Sequence, residues 1–134
     1  MVLLPPAIGA ALAAVLAVPL SIDLVIRARA TAEHDGTATI RGTLTCSTET
    51  QVMLEGQLVQ SIGRSETAAG SFATQVWCGT TATPWAATIT SDTGMAFRPG
   101  FALADLQAVG FDPETGIFSG VQSLASVRLT RSAR

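Results

Sequence analysis

Few side chains in this chain of 134 residues are equipped for chemistry. His34 is the only histidine, so a Ser-His-Asp or Cys-His constellation would have to be assembled around it. It stands between Glu33 and Asp35, just ahead of Gly36. That is turn chemistry, and the position favours a solvated loop histidine over a base or a metal ligand. Cys46 and Cys78 are the only cysteines. An even count in a small chain that opens on an apolar leader predicts a single disulfide, with two buried thiols as the alternative. The bridge withdraws Cys78 from any role as a nucleophile, and by restricting the unfolded chain it contributes roughly 3–4 kcal/mol. Two cysteines and one distant histidine are too few for a closed four-ligand zinc site. No metal or cofactor is expected.

Asp92-Thr93-Gly94 is the sharpest motif, because that triplet carries the catalytic carboxylate in aspartic proteases, where two such loops face one another across a dimer and share a proton. A homodimeric aspartic protease is therefore a remote alternative. The flanks oppose it: Thr90 and Ser91 precede the triplet where that family has apolar strand residues, and no later apolar-apolar-Gly segment is placed to brace the loop. Ser91-Asp92-Thr93-Gly94 is also an ordinary turn sequence. No catalytic residue is assigned, and the chain is expected not to be an enzyme.

Trp77 and Trp85 are the two tryptophans. Both are expected to serve core and disulfide packing before any carbohydrate platform. Trp77, however, has the opposite strand parity to Cys78, so a cysteine pointing inward sends this indole outward. An exposed Trp would be a candidate binding surface, unless the segment 79–83 covers it. Charged residues make up 13% of the chain, with 8 basic residues, all arginine, against 10 acidic ones and a net charge of −2. So balanced a chain offers no basic stripe for nucleic acid, and its low charge excludes a disordered polyelectrolyte. The expected partner is a protein or a cell-envelope component.

The elements that must position these residues have a period of two. Leu24, Ile26, Ala28 and Ala30 alternate with Val25, Arg27, Arg29 and Thr31, and after the Asp35-Gly36 turn Ala38, Ile40, Gly42, Leu44 and Cys46 continue the apolar face. This predicts a β-hairpin with Cys46 facing inward and Arg27, Arg29 and Arg41 facing out, each paired across strands with a carboxylate, as is Arg128. A third strand over 51–60 puts Val52, Leu54, Gly56 and Leu58 inside. After a loop over 61–70, a fourth over 71–78 aligns Phe72, Thr74, Val76 and Cys78. Further strands are predicted over 84–90, 101–111 and 117–131, with turns at 91–94 and 112–116. Seven or eight strands with turn chemistry between them read as an all-β antiparallel sandwich or barrel.

The leader spans residues 1–20 and has no charge. Its apolar stretch over 7–18 has the length of a signal-peptide core and falls short of the roughly 20 residues of a spanning helix. Cleavage is expected after Ala17. No Lys or Arg precedes the apolar run, so an uncleaved membrane anchor is the alternative, and only that case brings a membrane. Residues 21–134 then form one β-domain, secreted or held at the cell surface.

The run from Asp35 to Ser47, the Trp77-Cys78 and Trp85 positions, and Phe97-Arg98-Pro99-Gly100-Phe101-Ala102 resemble small secreted actinobacterial proteins that have an immunoglobulin-like sandwich and one disulfide. The resemblance covers roughly residues 22–131. It implies an antiparallel immunoglobulin-like β-sandwich and an exported location, and it carries no catalytic residues. The leading expectation is an exported, non-enzymatic binding or structural module. A second is a homo-oligomeric or mixed extracellular assembly in which the strand over 20–31 completes a neighbour's sheet.

Overall fold

The computed structural model describes residues 19–133, so the expected leader lies almost wholly outside the described residues. Eight strands follow in chain order: β1 (Ile22–Ile26), β2 (Arg29–Ala32), β3 (Ala38–Cys46), β4 (Thr50–Ile62), β5 (Glu66–Cys78), β6 (Thr83–Ile89), β7 (Gly100–Asp112) and β8 (Ile117–Arg131). They pair as one continuous sheet in the order β1-β3-β2-β8-β7-β4-β5, with β6 joined to β3. Ala38 and Thr39 pair with both β2 and β6, while Gly42 to Leu44 pair with both β1 and β6. Hence β1 and β2 share one edge of β3, and β6 takes the other.

The alternation read from the sequence is the alternation that packs. On β3, Ala38, Ile40, Leu44 and Cys46 are buried, and on β4 so are Val52, Leu54 and Leu58. Ala102, Ala104, Leu106 and Ala108 from β7, Val127 and Leu129 from β8 and Trp85, Ala87 and Ile89 from β6 join them in the core. These small and branched side chains fill a thin interior, and removing them from water is what holds the sheet folded back on itself. Leu20, the last residue of the expected leader, is buried too, with its side chain against Gly110.

Two expectations are corrected by longer-range pairing. The first hairpin is interrupted: the register is Ile22↔Cys46 in β1 but Thr31↔Thr39 in β2, so two extra residues intervene. Arg27 and Ala28 make that step, the Arg27 amide donating to the Arg41 carbonyl and the Ala28 carbonyl accepting from the Arg128 amide. The step lets β2 pair in parallel with β8, Arg29 opposite Arg128, and it leaves Ala28 exposed, not inward. The loop expected over 61–70 is a tight turn instead, because β4 and β5 stay paired from Thr50↔Cys78 out to Ile62↔Glu66. Its small residues have a packing role: a Cβ on Gly70 would stand 2.1 Å from the Thr90 carbonyl oxygen, so only glycine allows that approach.

That approach belongs to a closure. β5 shares no ladder with β6 or β3 but is tied at one end to the segment that follows β6 and at the other to β3. The Asp92 amide donates to the Ala69 carbonyl, and the Thr93 hydroxyl donates to the Thr67 carbonyl. At the other end the Cys46 amide donates to the Gly79 carbonyl, and Cys46 is disulfide-bonded to Cys78 with Cα atoms 5.7 Å apart. The predicted disulfide is present, and both sulfur-bearing residues are buried.

Candidate functional site

Residues of odd number on β5, β4 and β7 and of even number on β8 project away from the core, and the register arranges them in rows across the four strands β5-β4-β7-β8. Along the first row lie Trp77 and Gln51, then Phe111 opposite Phe118. The second row holds Gln75, Met53, Val109 and Gly120, the third Ala73, Glu55, Gln107 and Gln122, and the fourth Ser71, Gln57, Asp105 and Leu124. Val59, Leu103 and Ser126 follow, and Phe101 and Arg128 close the face.

The face is apolar at both ends and polar in the middle. Trp77 is 54% exposed and Phe118 68%, with the Phe118 ring 5.1 Å from that of Phe111 at a tilted 58°. At the opposite end Phe101 and Leu124 are each 64% exposed, and the Arg128 guanidinium lies 5.4 Å from the Phe101 ring centre. This cation–π contact, and the 3.4 Å bond from Arg41 to the Thr31 hydroxyl, replace the carboxylate partners expected for these arginines. Between the two ends the small side chains of Ala73 and Ser71 leave a shallow trough of about 520 Å³, lined by Glu55, Gln57, Asp105, Gln107 and Gln122. Gln122 donates to Asp105 at 3.0 Å. The carboxylates and carboxamides remain open to solvent, which suits a hydrogen-bonding partner framed by apolar contacts.

The other singled-out residues lie elsewhere. Trp85 is buried, its ring packed against Gly42, and its indole nitrogen has no hydrogen-bond partner among the described residues. His34 is exposed in the turn between β2 and β3. Beside it, Thr37 donates its hydroxyl to Asp35 at 2.7 Å and its backbone amide at 3.0 Å, and these bonds hold the Asp35 carboxyl below its ordinary range. Asp92 is exposed in a turn whose Thr93 is fastened to β5, so the Asp-Thr-Gly segment serves the closure of the sheet. Among the described residues no group of three or more His, Cys, Asp and Glu converges as a metal site would require.

No protein-family model matches this sequence, and no curated protein is significantly similar to it. What can be said of the site therefore comes from its own side chains. Parity alone points Trp77 outward. Met53, Glu55, Asp105, Phe111, Phe118 and Leu124 go unmarked in the sequence, because they are solvent-side residues spread over β4, β7 and β8 and only the register aligns them.

Proposed function

We propose that the chain is an exported, non-enzymatic immunoglobulin-like β-sandwich that acts as a binding or structural module, with the outer face of β5-β4-β7-β8 as its contact surface. The observation that carries this reading is the gathering of Trp77, Met53, Phe111, Phe118, Phe101, Leu103 and Leu124 on one solvent-facing surface. Large apolar side chains scattered singly need no explanation, but seven on one face around a polar centre have the make-up of an interface.

The strand order supports the immunoglobulin comparison. The sequence β8-β7-β4-β5 corresponds to G-F-C-C′ of a variable-type domain, and β6-β3-β1 to E-B-A of its second sheet. On that reading the parallel β2–β8 pair is the seam through which the two layers become one continuous path. The Cys46–Cys78 bridge departs from the pattern: it joins the B-like and C′-like strands instead of B and F. A disulfide in a chain of this size also favours an oxidising compartment. In the assembly alternative, β2 has both edges filled, by β3 and β8, whereas β1 pairs on one edge alone, with β3, and is the part of the first strand left to meet a neighbour.

The test compares binding of the purified oxidised protein to the cell-envelope fraction of its source with that of Trp77→Gln and Phe118→Gln, each checked for an unchanged circular dichroism spectrum. Binding lost by at least ~10-fold in both, and retained by Thr88→Gln on β6, supports the reading. Equal binding by all four proteins overturns it.

A further inference from the structure

The two ties that close the sheet leave a gap between them, and the gap has a defined chemistry. Ala69, Thr67 and Gly79 offer their carbonyls away from β4, toward β6 and the Cys46 end of β3. Backbone direction alternates along a strand, so Ser71, Ala73, Gln75 and Trp77 turn their N–H and C=O groups the same way. Among the described residues no strand pairs with β5 on that side. Their side chains are all exposed. β5 therefore presents a seven-residue free edge, Ser71 to Trp77, with four donors and four acceptors.

Natural sheets blunt such an edge with lysine, proline or a bulge. This one has none of them: Glu66 is the only charged residue of β5, there is no proline, and the β4–β5 register runs unbroken through the strand. The inward-facing Phe72, Thr74 and Val76 are only half-buried, whereas Cys78 beyond them is fully buried. Something must cover this flank if the pattern of the rest of the core is to be completed.

We infer that β5 is a dimerisation edge, and that a second copy of this chain adds its own β5 antiparallel about a two-fold axis through Thr74. In that register Ser71 faces Trp77 of the partner and Ala73 faces Gln75, each pair exchanging two backbone hydrogen bonds. The side chains fit the same arrangement. On the outer surface the two small residues at one end of the window meet the two large ones at the other. On the inner surface Phe72 meets Val76 and Thr74 meets Thr74, an aromatic with β-branched pair and a threonine pair, both of which stabilise antiparallel sheets. No charge opposes the approach, because residues 67–78 carry none. The pairing makes the outer faces of the two copies continuous. It does not depend on the identity of whatever that face binds.

The test is sedimentation velocity on the oxidised full chain, with Ala73→Lys/Gln75→Lys and Ala73→Glu/Gln75→Glu as variants whose new side chains point to solvent. A short edge-to-edge contact belongs to the weak end of interfaces, so the concentration series runs from about 10 μM to about 1 mM. The expected result is a reversible dimer for the native chain, and weakening by at least ~100-fold in each variant, where like charges stand directly opposite across the axis. An equimolar mixture of the two variants regains the dimer, because Lys and Glu then alternate across it. Unchanged circular dichroism and thermal midpoints show that each variant folds. A native chain that stays monomeric throughout the series, a Lys variant that dimerises like the native chain, or a mixture that fails to associate each overturns the inference.

Discussion

Gln60 holds the backbone of Arg98 with both ends of its carboxamide: its Nε2 donates to the Arg98 carbonyl at 2.7 Å, and its Oε1 accepts from the Arg98 amide at 2.9 Å. The side chain is 3% exposed and imitates one rung of a ladder, tying the segment that enters β7 to the end of β4. Replacing it by leucine leaves a donor and an acceptor without partners. Gln60→Leu is expected to cost ~2–3 kcal/mol. Urea unfolding followed by tryptophan fluorescence measures it, and a loss below about 0.5 kcal/mol would show that water replaces both bonds.

Gly42 pairs with Trp85 across β3 and β6, and a Cβ there would stand 2.6 Å from the indole ring and 1.9 Å from the Val25 carbonyl oxygen. Both neighbours are held, one by the core and the other by the β1–β3 pairing. Gly42→Ala is therefore expected to destabilise by ~2–4 kcal/mol despite adding a single methyl group. Gly120→Ala on β8, where the new carbon would meet its nearest neighbours at 3.5 Å, an ordinary van der Waals contact, serves as the comparison. Thermal unfolding of the two variants ranks them, and a Gly42→Ala midpoint no lower than that of Gly120→Ala contradicts the packing described.

The Cys46–Cys78 bridge stands beside the Cys46-to-Gly79 backbone bond, and together they fix the end of β5 to β3. Cys46→Ser/Cys78→Ser is expected to lose roughly 3–4 kcal/mol, in line with the length of the loop released. Hydrogen exchange gives the finer reading. The Cys46 amide, which donates to the Gly79 carbonyl, should exchange faster in the variant, while the amides of β7 and β8 keep their protection relative to global unfolding. Uniform acceleration along the whole chain would mean that the bridge acts only on overall stability.

Asp35 accepts two bonds from Thr37, and its carboxyl is lowered from the ordinary 3.8. The charged form is the one stabilised, so its contribution is complete above the ordinary carboxylate pKa and is lost as pH falls through the lower folded value. Carboxyl-detected NMR titration should place Asp35 below 3.8, and Thr37→Val should return it toward that value. No change on removing the hydroxyl would assign the effect to the backbone amide alone.

The inward faces of β3, β4, β6 and β8 were legible in the sequence because a sheet with one buried side writes its period of two into the residue types. Cys46 and Cys78 were legible for the same reason, each sharing parity with apolar neighbours on its own strand. The parallel β2–β8 pair was not, since nothing local in Arg29 to Ala32 specifies a partner about 100 residues away. The Gln60–Arg98 tie and the Asp92–Ala69 closure have the same non-local origin. Strand parity gives the outward direction of single residues such as Trp77, whose neighbour Cys78 faces inward, but not their gathering on one surface. That gathering depends on the registers of β4, β5, β7 and β8, which no single strand encodes.

We propose the outer face of β5-β4-β7-β8 as the surface on which this protein meets its partner. A photo-crosslinking amino acid at position 77, compared with the same group at position 88 on β6, tests it in the living source culture. The account predicts a discrete adduct formed from position 77, absent from position 88, and abolished when Phe118→Gln is added. Adducts that form equally from both positions, or from position 88 alone, would contradict it.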